Sequence, residues 1–168
     1  MLDSPEMRGL SLLQPWATLA ALRLKKLETR SWPTDFHGLL AIHASLGRSA
    51  QVQRLCTQDV FIQAALSAAG LSYDTLPTGQ ILAVAGLQGS LRMQQGPVPP
   101  GTPALDLLDA QQLPDQERAF GAYQVGRYAW PLLDTQALST PVPCRGSLRL
   151  WQLPADVRRQ LLAQLGRP

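Results

Sequence analysis

The chain has 168 residues, 45% hydrophobic and 16% charged, with a net charge of +3. That length suits one domain, 1–168, with a real core, and the apolar content excludes intrinsic disorder, whose signature is low hydrophobicity with high net charge. No apolar run approaches the ~18–20 residues of a membrane span, the N-terminal MLDSPEMRG has no signal-peptide layout, and Cys56 and Cys144 lack CxxC spacing, so they read as free thiols of a cytoplasmic protein.

In chain order, RGLSLL (Arg8 to Leu13) predicts a short strand. Pro15 suits the first position of a helix, where a missing N–H costs nothing, and Trp16, Leu19, Ala20 and Leu24 or Leu27 recur at helical spacing. From Leu27 the period changes to two, with Glu28, Arg30 and Trp32 on one face and Leu27, Thr29 and Ser31 on the other, until Pro33. HGLLAIHAS (His37 to Ser45) predicts a strand, and the Ala-, Gln- and Leu-rich residues 48–69 predict one helix stopped by Gly70. TGQILAVAGLQGSLRM (Thr78 to Met93) predicts one long strand bent or bulged at its glycines. A Pro/Gly-rich loop follows, with a short helix around Leu105 to Gln112. GRYAWPLLDTQAL and RGSLRLWQL predict two more strands, the first interrupted at Pro131, and residues 154–166 predict a terminal helix. The order is uneven, with more strands than helices between them. It predicts an α+β fold, a small mixed β-barrel with peripheral helices, rather than a doubly wound sheet.

The charge is unevenly spread. Thirteen of the 15 basic residues are Arg; residues 145–168 carry five Arg against one Asp, whereas residues 106–117 carry only acids. A basic face of this kind is compatible with a phosphate-rich partner. No zinc-type spacing is present, with only His37 and His43 and two remote cysteines, and no GxxxxGK loop, so no metal or cofactor is expected.

The run LSLLQPWATLAALRLKKLETRSWPTDFHGLLAIHAS resembles the opening of bacterial ASCH-domain proteins, members of the PUA-like superfamily of β-barrels. The likeness is carried by Gln14–Ala17, by Lys25, Glu28, Arg30 and Trp32, and by Gly38–Ser45; LPTGQILAVAGL and ERAFGAYQVGRYAWPL extend it over about residues 9–153. The resemblance implies a cleft beside the barrel and a link to RNA binding and RNA modification. It also brings a rival: some such proteins are nucleases, and related small ones are amidohydrolases acting on modified nucleosides. Two positions depart from the pattern. Arg23 stands where the family has Gly, and a left-handed residue there costs Arg roughly 1 kcal/mol more than Gly, so a rearranged helix end is expected. His37 stands where the family has Arg, removing a charge at neutral pH.

Lys25, Glu28 and Arg30 form the candidate site. Glu28 and Arg30 lie about 6.5–7 Å apart along a strand face. They read either as an ion pair tethering the strand or as groups facing a ligand, with Lys25 and Arg30 on phosphate and Glu28 as a general base. In related amidohydrolases the position of Glu28 is a Thr nucleophile, which argues against carrying that mechanism over. Trp16 and Trp32 read as core anchors, Trp32 being the better placed to stack on a base. His43 reads as a buried hydrogen-bonded residue or a proton shuttle, Ser45 as a strand-end cap or ligand contact, and Gln14 as a base contact or helix cap. Arg127 and Arg145 are candidate phosphate contacts. The leading expectation is an RNA- or nucleotide-binding module with a cleft lined by Gln14, Trp16, Lys25, Glu28, Arg30 and Trp32. The alternatives are a metal-independent hydrolase in which Lys25 and Glu28 are catalytic, and a protein-interaction domain that docks a partner through residues 94–117.

Overall fold

Strand β1 (Met7–Leu12) alternates as its sequence dictates, sending Leu10 and Leu12 into the main core and Met7, Gly9 and Ser11 to the opposite face. The computed structural model describes residues 6–94 and 107–166, which form nine strands in two mixed sheets with five α-helices, an α+β arrangement. Helix α1 (Trp16–Ala21) is shorter than its apolar period predicts, because Arg23 itself adopts the left-handed conformation at φ 61° and ends it. The expected rearrangement does not occur there, and the amides of Leu24 and Lys25 both turn back to the Leu19 carbonyl. The chain then enters β2 (Leu27–Arg30) and β3 (His37–Ala44).

The single helix expected over residues 48–69 is two, α2 (Ala50–Gln58) and α3 (Val60–Ala68). Asp59 divides them: its backbone is extended, and its carboxylate accepts from the amides of Phe61 and Ile62. A short polar side chain that caps a new helix competes with continuation of the old one. The long strand expected over 78–93 is likewise two, β4 (Gln80–Gln88) and β5 (Leu91–Gln94), parted at Gly89 with φ 76°. They belong to different sheets, so the glycine hands the chain from one sheet to the other. Where a helix was expected around Leu105 to Gln112, the described residues form β6 (Leu107–Asp109) and a 3-10 turn; the helix, α4 (Asp115–Ala119), comes later. The Pro/Gly-rich part of the expected docking loop, residues 95–106, lies outside the described residues. The strand interrupted at Pro131 is β7 (Tyr128–Pro131) and β8 (Leu133–Pro143), and the last strand is only β9 (Leu150–Gln152), ahead of α5 (Ala155–Gln164).

One sheet runs β8-β4-β3-β1-β9 and the other β2-β7-β5-β6. Between them, side chains of β1, β3 and β4 meet Trp130 of β7 and the alanines of α1. The outer face of the larger sheet is covered by α5 through Val157, Leu161 and Leu162, and α2 and α3 close over Leu19 and Phe120. Both cysteines are free. Among the described residues no helix is long and apolar enough to cross a membrane.

Candidate functional site

Strand β2 pairs antiparallel with β7, placing Glu28 opposite Trp130 and Arg30 opposite Tyr128. Lys25, just before the strand, is 1% exposed. Its ammonium donates to the Leu27 and Phe120 carbonyls, each at 2.6 Å, and lies 3.4 Å from Glu28 Oε2. An ammonium has three protons; two are taken by main-chain carbonyls, and the Glu28 carboxylate faces the charge. Glu28, 8% exposed, turns its other oxygen to Arg30, whose Nε lies 3.2 Å away without hydrogen-bond alignment. Arg30 Nη2 donates to the Ser11 carbonyl at 2.9 Å, just past Leu10, where the pairing of β9 with β1 stops. The candidate trio is therefore a connected ion cluster that ties β2 to β1 and to the end of α4.

Glu117 of α4 completes it from below. Its carboxylate accepts from the amides of Lys26 and Leu27 and from the Tyr123 hydroxyl at 2.9 Å. Burial, then the neighbouring charge of Glu117 and its hydrogen bond, with Glu28 further off, push the Tyr123 phenol well above its ordinary value, so it stays a donor. This half of residues 94–117 is turned inward at Glu117, which is 7% exposed.

At the other end of β2, Trp32 meets Trp130 edge-to-face, with ring centroids 4.6 Å apart. Arg149 lies over the Trp32 ring at 5.2 Å, held there by a left-handed backbone at φ 57°. The segment between β8 and β9 thus delivers a cation onto the face of Trp32.

The remaining sequence-predicted residues separate. Gln14 is buried, its carbonyl accepting from the Thr18 amide and its NH2 donating to Thr18 Oγ1 and the Pro77 carbonyl, so every contact it makes is internal. Trp16 packs, half-buried, against the main core. Arg127 binds the Ala122 and Thr29 carbonyls and pins the segment after α4 to β2. His43 lies on the opposite face of the larger sheet, between Ser11 Oγ at 3.0 Å from Nδ1 and the Cys144 carbonyl at 2.9 Å from Nε2. A carbonyl only accepts, so Nε2 carries the proton. Burial, partly opposed by this bond, lowers the pKa of His43 below its ordinary value; in the neutral ring Nδ1 then accepts from Ser11. Ser45, nearby, has a buried hydroxyl with no partner among the described residues.

Sequence reasoning missed Glu117, Tyr123 and Arg149. The acidic run ending at Glu117 and the basic run beginning at Arg145 were visible as charge asymmetry, yet nothing local marks which member turns inward. Compared with known proteins, the chain matches no family model and no curated protein matches it.

Proposed function

We propose that this chain is an RNA-binding module, with its two mixed sheets forming a PUA-like barrel of the ASCH kind and single-stranded RNA lying across Trp32, Arg30 and Arg149. The observation that carries the reading is the Arg149 guanidinium over Trp32, which follows Arg30 two residues along the chain; the Arg30 side chain is 24% exposed. A planar cation above an indole marks a surface on which a base stacks while a phosphate meets the guanidinium. Lys25 takes a structural part here, since its buried ammonium is bound by two main-chain carbonyls and faces Glu28. The same fact sets binding ahead of hydrolysis, because a Lys25–Glu28 pair locked to main-chain carbonyls and to Arg30 offers no free base to a substrate.

Fluorescence anisotropy with a labelled RNA 12-mer tests this. Arg149→Ala lowers affinity and reduces the slope of log K against log salt by about 1, as loss of one phosphate contact requires. Arg149→Lys keeps the slope but loses the stacked plane, and so binds more weakly than wild type. Absence of binding at low salt, or binding indifferent to Arg149→Ala, would overturn the proposal. RNA cleavage abolished by Glu28→Gln would replace it with the hydrolase.

A further inference from the structure

On the outer face of the larger sheet, away from the Lys25–Glu28 cluster, the segment between β8 and β9 roofs a cavity of about 640 Å³. Its floor is the Ser11–His43 pair. The roof is tied down by the Cys144 carbonyl, which accepts from His43 Nε2, while the Ser147 carbonyl lies 3.3 Å from Ser11 Oγ as the rival acceptor for that hydroxyl's one proton. Two glycines let the walls close. A Cβ on Gly146 would sit 2.5 Å from Ser11 Oγ and 2.6 Å from the His43 ring, and one on Gly79 would sit 2.9 Å from the Leu46 side chain.

Leu46 and Leu148, both lining the cavity, are 76% and 91% exposed. Large leucines left in water at the rim of a mostly apolar cavity are a feature of ligand and partner sites. Arg145 is also among the lining residues, and among the described residues its guanidinium has no ion pair or hydrogen bond. A mostly apolar, open groove with an unpaired arginine among its lining residues calls for one occupant with an apolar body and an anionic head. We propose that this cavity is a binding site for a small organic anion, its hydrocarbon part between Leu46 and Leu148 and its carboxylate or phosphate oxygens on Arg145. The guanidinium fork fits either headgroup. The site is independent of the RNA reading, which rests on Arg149 and Trp32.

The test is titration of the full chain with 8-anilinonaphthalene-1-sulfonate by fluorescence and calorimetry, alongside the uncharged N-phenyl-1-naphthylamine. One saturable site is expected, with the uncharged dye and the Arg145→Ala variant each weaker by about 10-fold or more, the size of one lost charge-assisted hydrogen bond. Leu148→Glu should weaken binding similarly while Leu148→Lys retains it; both residues are exposed, so folding is not at stake, and near-ultraviolet circular dichroism checks it. Octanoate and phenyl phosphate serve as competitors: displacement by one names the headgroup. The proposal is overturned by equal binding of both dyes, by wild-type affinity in both Arg145→Ala and Leu148→Glu, or by octanol displacing the dye as well as octanoate.

Discussion

The charges at the start of β2 and those between β8 and β9 are built on opposite principles. Lys25, Glu28 and Glu117 are buried and answered by main-chain groups and by one another. Arg145 and Arg149 are exposed, and among the described residues their guanidinium groups make no ion pair or hydrogen bond, only the ring contact of Arg149 with Trp32. The first set is the costly kind: a buried charge is tolerable only when its partners are in place. The second is cheap to keep and free to meet a ligand. The difference teaches that a motif's most conspicuous cation need not be its binding cation. Lys25, which looks like a phosphate contact in sequence, holds the scaffold that presents the surface.

The comparison predicts a steep contrast in stability. Lys25→Ala, which strands two carbonyls and leaves Glu28 with Arg30 alone, should cost about 3–5 kcal/mol in urea unfolding; a loss below about 1 kcal/mol would remove the distinction. Glu117→Ala should follow at about 1–3 kcal/mol, since it leaves the Lys26 and Leu27 amides and Tyr123 without their acceptor. Arg23→Gly should raise stability by roughly 0.5–1 kcal/mol, because glycine takes φ 61° without the Cβ penalty. Arg149→Ala should change stability by less than about 1 kcal/mol while weakening RNA binding, the signature of an uncommitted charge.

His43 sharpens the comparison along pH. Its folded-state pKa lies below 6.5, so above that value both folded and unfolded chains hold it neutral. As pH falls through 6.5 toward the folded value, the unfolded chain takes up the proton first, and stability drops. Unfolding midpoints measured between about pH 7.5 and pH 5 should fall more steeply for wild type than for His43→Gln. Parallel curves would remove His43 from the account.

What could be read from the chain was what period and caps decide locally. The face shared by Glu28 and Arg30 is present as two-residue alternation places it, but the strand stops at Arg30 and residues 31–32 bend, so alternation does not extend to Trp32. The terminal helix, with Pro154 at its start and Gly166 left-handed at its end, follows the same local chemistry. The breaks were not legible: Asp59 reads equally as a mid-helix polar residue, and Gly89 equally as a bulge, until packing chooses.

The sequence by itself determined the α+β balance, the amphipathic faces and the residue types of the candidate site. Only the tertiary structure decided what those residues do. Lys25 is held by the carbonyl of Phe120, Arg30 by that of Ser11 and His43 by that of Cys144. Every residue carries such a carbonyl, so an acceptor of this kind leaves no mark in the sequence, and the fold alone selects which one arrives.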